Sequence, residues 1–235
     1  IFCRYRLEGR QRIDGGLWLL NLSSGTTKRL LAPAGEGWLT VSPRWSPDGK
    51  HIAVGRAKVT ALEQSAHANQ PLASLYVLSL PADYHWVLGY ASDWRWSPDS
   101  TQLLCTRQTP AERRARLWVV QRDGTSPTWL SIKGAHDHHG RWSPDGTAIA
   151  FLSHPEGSDE SDHLWIMQAN GMRRTQLTEV PAAGPEWSAD SKSIIFMKVT
   201  AGRVYDGLWL IKCDGSGLRE LAANAAGLVG VYRTP

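Results

Sequence analysis

The sequence predicts an all-β chain of repeated four-stranded antiparallel units, on three observations. A tryptophan-centred motif returns at nearly constant spacing, a leucine–aromatic pair falls between its copies, and tight-turn dipeptides follow most of those pairs. The 235 residues include 22 Gly and 13 Pro, a balance that favours turns over long helices. Charged residues are 20% and hydrophobic residues 42%, which excludes both a disordered chain and one embedded in a membrane through helices. The net charge of +4 is spread along the chain, so no nucleic-acid footprint is expected. Three cysteines without metal-ligand spacing exclude a disulfide scaffold.

The first motif is Arg44-Trp45-Ser46-Pro47-Asp48-Gly49, repeated as Arg95-Trp96-Ser97-Pro98-Asp99-Ser100 and Arg141-Trp142-Ser143-Pro144-Asp145-Gly146. A weaker copy is Glu186-Trp187-Ser188-Ala189-Asp190-Ser191. Seven residues beyond each Trp an apolar run opens, at Ile52, Leu103, Ile149 and Ile194. The second motif is Leu17-Trp18, Leu75-Tyr76, Leu117-Trp118, Leu164-Trp165 and Leu208-Trp209. Four of these lead to Ser24-Gly25, Asp123-Gly124, Asn170-Gly171 and Asp214-Gly215, where Gly accepts the positive φ of a hairpin turn.

Each unit therefore reads as strand A ending at the Trp, a turn, strand B, a variable loop, strand C from the leucine–aromatic pair, a turn, and strand D. A period near 45 residues with four strands per unit predicts a β-propeller. One sheet cannot bury both of its faces alone, so the indoles are expected between neighbouring blades. The expected blades of this single domain are 1–37 with 228–235, 38–91, 92–137, 138–183 and 184–227. Leu228 to Tyr232 stands where a strand A belongs, and its pairing with the N-terminal unit would close a five-bladed ring without open edges. A fragment of a larger propeller is the competing reading. The chain opens at Ile1 without Met, as expected of a processed chain that has lost a targeting segment.

These motifs resemble the TolB-like propeller repeats, whose signature is Trp-Ser-Pro-Asp-Gly, an aliphatic strand, a leucine–aromatic pair and an Asp-Gly turn. The resemblance covers essentially the whole chain. It departs in blade number, since such propellers commonly have six or more. It departs also in the second unit, with a longer B–C segment and Pro81-Ala82-Asp83 in place of the Asp-Gly turn. The resemblance implies an extracytoplasmic bacterial protein: a periplasmic, cell-surface or secreted interaction scaffold, a peptidase accessory domain, or occasionally a polysaccharide-active enzyme.

In this topology the A–B and C–D turns share one face and the variable loops the other, where function concentrates. The turn aspartates Asp48, Asp99, Asp145 and Asp190 are expected to be structural, accepting backbone N–H groups. On the loop face, His136-Asp137-His138-His139 precedes the third motif copy. In an extended segment His136 and His138 share a side and could chelate a metal, with a third ligand from a neighbouring blade. The preferred reading is a polar loop with solvated histidines. Asp93, His139 and Ser42 each stand three residues before a motif Trp and are expected at equivalent places near the axis. Arg44, Arg95 and Arg141, with Glu186 in the fourth copy, either clamp an anion or pair with turn aspartates of adjacent blades. Trp38 and Trp94 fall outside the repeat slots, near the loop face. A long loop (Ala57 to Ala73), a basic loop (Arg107, Arg113, Arg114, Arg116) and an acidic loop (Glu156, Asp159, Glu160, Asp162) make an uneven rim suited to a partner.

No nucleophile elbow, zinc-binding helix or phosphate loop is present in the sequence. The leading expectation is a non-catalytic scaffold, not an enzyme, that binds a protein or cell-envelope component through its loop face within a larger assembly. No cofactor is expected beyond a metal ion at the channel mouth. The alternative is a carbohydrate-binding or carbohydrate-active propeller, metal-assisted, with Asp93 and Glu186 the only carboxylates loosely placed for it.

Overall fold

The computed structural model describes residues 1–8, 11–58, 73–80, 83–108, 114–155, 161–200 and 204–223. Among them the chain is all β-strand and turn, with every assigned pair antiparallel. It divides into two compact units, 1–110 with 120–127, and 111–119 with 128–235.

The first unit holds β1 (Phe2–Glu8), β2 (Gln11–Leu20), β3 (Thr27–Leu31), β4 (Trp38–Trp45), β5 (His51–Lys58), β6 (Ala73–Ser79), β7 (Asp83–Trp96) and β8 (Gln102–Arg107). Sheet order is β1-β2-β3, and β4 to β8 pair successively. Strand β9 (Arg116–Gln121) begins in the second unit and ends in the first. The second unit continues with β10 (Thr128–Trp129), β11 (Ala135–Trp142), β12 (Ala148–Pro155), β13 (His163–Gln168), β14 (Thr175–Trp187), β15 (Ser193–Thr200), β16 (Val204–Lys212) and β17 (Arg219–Ala222). Strands β11 to β17 pair successively in one sheet. The 14-residue β7 and the 13-residue β14 each serve as strand D of one repeat and strand A of the next. The closing strand expected at 228–232 lies outside the described residues, as do most of the long loop and the Pro81-Ala82 pair.

The repeat follows from the pairing. Trp45 faces Ile52, Trp96 faces Leu103, Trp142 faces Ile149 and Trp187 faces Ile194 directly across their hairpins. The seven-residue interval is thus the length of a tight A–B hairpin. Within it the motif serine closes the turn: the hydroxyls of Ser46, Ser97, Ser143 and Ser188 donate to Asp48, Asp99, Asp145 and Asp190 at 2.5 to 2.6 Å. Each also accepts the N–H five residues on, at 2.9 Å. The carboxylates accept the N–H of Lys50, Thr101, Thr147 and Lys192 in turn. These bonds, with the serine hydroxyl foremost, hold all four carboxyls below the ordinary range, Asp48 at about 2.

Neighbouring repeats are joined at the same turns. Trp96 Nε1 donates to the Arg44 carbonyl at 3.1 Å, and Trp187 Nε1 to the Arg141 carbonyl at 2.9 Å. The first unit buries Leu39, Val77, Trp94, Trp96 and Leu103 in one cluster, with Leu17, Ile52, Val54 and Leu78 in another. The second unit buries Leu152, Leu164, Trp187, Ile194 and Phe196. Gly55 belongs to this packing, because a Cβ there would stand 2.5 Å from Trp94 Cη2. Cys105 is fully buried, and burial pushes its thiol up, as for a small core hydrophobe.

Candidate metal centre

The site lies in the second unit, on the hairpin of β11 and β12 and the start of β13. Alternation along β11 puts His136 and His138 on one side and Asp137 on the other. A β-bulge then decides which residue of β12 joins them. From Trp142 to Arg141 the hairpin pairs in one register, and between Arg141 and His138 it slips by one residue. His139 sits at the slip with φ of 53°, in the left-handed region. Continued without the bulge, the first register would bring His154 opposite Asp137. With it, His154 faces His136, and Ser153 faces Asp137.

Three imidazoles and one carboxylate therefore converge. His138 Nε2 is 2.9 Å and His154 Nδ1 2.7 Å from the same oxygen, Oδ1 of Asp162. One ligand atom from each of the three residues lies within 4.8 Å of the others. His136 stacks on His154 at 4.6 Å between centroids and meets His138 edge-on at 5.3 Å. His138 also pairs with His139 through their Nδ1 atoms. Burial, then the positive charge of His138 and His154, lowers His136 to about 4, so it is neutral at neutral pH. Burial opposes ionisation of Asp162, but hydrogen bonds and charge from His138 and His154 outweigh it and hold the carboxyl below its usual range.

This donor set fits a divalent transition metal. Two imidazoles and a carboxylate form the two-histidine, one-carboxylate pattern, and a cation replacing the two ring protons would meet three ligands. A cavity of about 300 Å³ opens on the other face of the hairpin, the Asp137 and Ser153 side, walled by Ser153, His163, Trp165, Arg174 and Glu179.

Several expectations need correction. The histidine segment is a strand rather than a solvated loop, and the His138 side chain is only 13% exposed. The additional ligands come from the same repeat, not from a neighbouring blade, because the bulged hairpin supplies His154 and the following loop supplies Asp162. Asp162, expected on an acidic rim, joins the cluster, and residues 156–160 lie outside the described ones. Trp94 is a core residue, 2% exposed, and not a binding surface. Trp38 is half-buried under Lys58, whose Nζ lies 5.5 Å from the ring centroid.

Asp93 does not match Ser42 and His139. Those two sit at bulges with positive φ, as Gly184 does, whereas the irregularity of β7 falls earlier, with Tyr90 at 59°. Asp93 is buried and bound by Arg95 of its own strand. Arg141 pairs with Glu186 at 3.1 Å, the residue occupying the arginine position of the next copy, and not with a turn aspartate. Arg44 is half-buried. His154 is the residue that sequence reasoning missed. Its signal was a second histidine near the end of strand B, readable only with the bulge in place.

Repeated Trp-centred hairpins in antiparallel sheets define a β-propeller with a histidine–aspartate cluster on one repeat. The chain belongs to the TolB beta propeller domain family, whose model matches residues 34–226. It is 30% identical over 112 residues to an uncharacterized peptidase of Bacillus subtilis, covering 44% of this chain and 16% of that protein. It is 25% identical over 195 residues to an uncharacterized protein of Agrobacterium fabrum, covering 79% of this chain and 59% of that one. Among solved structures, an oligogalacturonate lyase of Vibrio parahaemolyticus superposes with a TM-score of 0.71 at 14% identity, over 92% of this chain and 62% of the other. An oligogalacturonate lyase in complex with manganese gives 0.71 at 16%, over 90% and 61%. A puromycin hydrolase gives 0.60 at 18%, over 88% and 32%. The chain thus spans less than two thirds of each of these proteins. The expectation that it is not an enzyme is overturned by these similarities, since an oligogalacturonate lyase and a puromycin hydrolase share its fold and an uncharacterized peptidase is 30% identical to it over 112 residues.

Proposed function

We propose that the chain is a metal-dependent propeller acting on acidic carbohydrate, with a divalent cation held by His138, His154 and Asp162 and with His136 beside them. The observation that carries this reading is the convergence of two imidazole nitrogens on one oxygen of Asp162. The similarity to an oligogalacturonate lyase in complex with manganese supports the substrate class. A cation bound there would neutralise a uronate carboxylate and acidify the neighbouring C–H bond. The chain's own part is to hold His138, His154 and Asp162 converged on one point, with His136 stacked beside them. The TolB-like family membership supports an extracytoplasmic location, where a polysaccharide fragment or envelope component would be met.

The test is calorimetric titration of the metal-stripped chain with Mn²⁺ and Zn²⁺, followed by assay on oligogalacturonate for an unsaturated product. One cation per chain, lost in His138→Ala and Asp162→Ala, supports the reading. No saturable binding to the wild type overturns it.

The local identity to a peptidase favours a second reading, in which this propeller is part of a longer peptidase. Its discriminating observation is whether the full-length protein cleaves peptide substrates while His138→Ala leaves that activity unchanged.

A further inference from the structure

We infer that Arg174 is a positioning residue for the histidine–aspartate centre, acting from the opposite face of the sheet through Asp137 and Ser153. This rests on the metal-binding reading above.

The argument begins with Asp137, which is 0% exposed and stands between His136 and His138 on β11. A buried carboxylate needs a partner, and breaking such a pair is far costlier than making it is favourable. Arg174 supplies that partner with two hydrogen bonds, Nη1 to Oδ2 at 2.7 Å and Nη2 to Oδ1 at 2.8 Å. The same Nη2 donates to Ser153 Oγ at 2.7 Å. Ser153 immediately precedes His154 and faces Asp137 across the hairpin. One guanidinium thus ties together the two residues that alternate with the site histidines. It grips both histidine-bearing strands from behind, below the bulge that sets their register.

The guanidinium is itself held. Its carbon lies 4.7 Å from the centroid of Phe151 and 4.6 Å from that of Trp165. Among the described residues its buried Nε finds no acceptor, and its hydrogen bonds run through Nη1 and Nη2. Arg173, with φ of 54°, turns the chain so that Arg174 enters this face at the start of β14. A fixed planar fork with two aligned donors is what Arg provides and Lys does not. If the hairpin slipped back to the unbulged register, His154 would take the place of Ser153 opposite Asp137, and the two hydrogen bonds to Asp137 and Ser153 could not be kept together. Arg174 therefore selects the register that assembles the site.

The test uses Co²⁺ as the probe on the wild-type chain and on Arg174→Lys, Asp137→Asn and Ser153→Ala, each at a temperature where circular dichroism shows it fully folded. Affinity is read by calorimetry and ligand geometry by the visible absorption of the bound Co²⁺. Loss of an outer partner of metal ligands is expected to weaken binding by about 10- to 100-fold in Arg174→Lys, with a changed spectrum. Ser153→Ala, which removes a single hydrogen bond, is expected to show a smaller loss in the same direction, and it serves as the test if Arg174→Lys does not fold. Wild-type affinity and an unchanged spectrum in the folded variants overturn the role of Arg174. Failure of the wild type to bind Co²⁺ overturns the metal reading itself, a separate outcome.

Discussion

The backbone N–H of Asp48 donates to the hydroxyl of Ser100, 52 positions later, at 3.0 Å. Ser100 stands where the first and third motif copies carry Gly, with φ of 64° and only 2% exposure. The pattern recurs in the other unit, where Asp145 N–H donates to Ser191 at 3.1 Å and Ser191 has φ of 60°. A non-glycine residue is thus kept in the left-handed region at a cost of about 1–2 kcal/mol, and its hydroxyl links one turn to the next. Ser100→Ala keeps the backbone strain and loses the bond, and is expected to destabilise the chain by about 1 kcal/mol. Ser100→Gly loses the bond and the strain together and is expected to be close to neutral. Urea denaturation of both variants checks this, and equal losses would refute the strain argument.

Gly55 makes a second prediction. Gly55→Ala forces a Cβ against the Trp94 ring and is expected to cost about 1–3 kcal/mol. Adding Trp94→Leu should recover part of that loss, so thermal unfolding of the two single variants and the double variant should be non-additive. Additive losses would place the clash elsewhere.

Acid should weaken the turns. A carboxyl whose folded value is lowered contributes stability that is fully present above its unfolded value of about 3.9 and disappears as pH falls through the folded value. With Asp48 at about 2 and Asp99, Asp145 and Asp190 also lowered, the melting temperature is expected to fall between about pH 4 and about pH 2. Asp99→Asn should flatten that decline. A variant with the wild-type slope would show that these turns do not set the acid limb.

Metal removal should be visible in stability as well as in binding. A cation that binds only the folded chain adds about 2.7 kcal/mol at a hundredfold excess over its dissociation constant. Adding Mn²⁺ is therefore expected to raise the melting temperature, and a chelator to reverse the rise. Asp162→Asn should abolish the response, and it should also lower the metal-free melting temperature, because it removes the carboxylate that His138 and His154 hold. A rise that persists in Asp162→Asn would move the cation to other residues.

The repeat was legible because it is written in local chemistry. Trp45 and Ile52 belong to one hairpin, and the Ser46–Asp48 turn closes within six residues, so spacing alone carries both. The shared side of His136 and His138 was legible for the same reason, as strand alternation. The completed site was not. Asp162 lies 24 residues from His138 and reaches it through a loop whose residues looked like a solvated acidic rim. His154 depends on a one-residue bulge at His139, which strand alternation alone does not reveal. Arg174 was equally hidden, since its interaction with Asp137 crosses 37 residues and the width of a sheet.

The two long strands β7 and β14 have a consequence for how such a chain tolerates change. Each passes from one repeat into the next without an intervening loop, so there is no slack at those joints into which residues could be inserted. Length variation is thereby channelled to the connections after β5, β8, β12 and β15, all at the same step of the repeat. Inserted segments, fused reporters and new chain termini should be accepted there and rejected within β7 and β14. The joints preserve the spacing of successive hairpins while the connections diversify, and one of those connections brought Asp162 to its histidines.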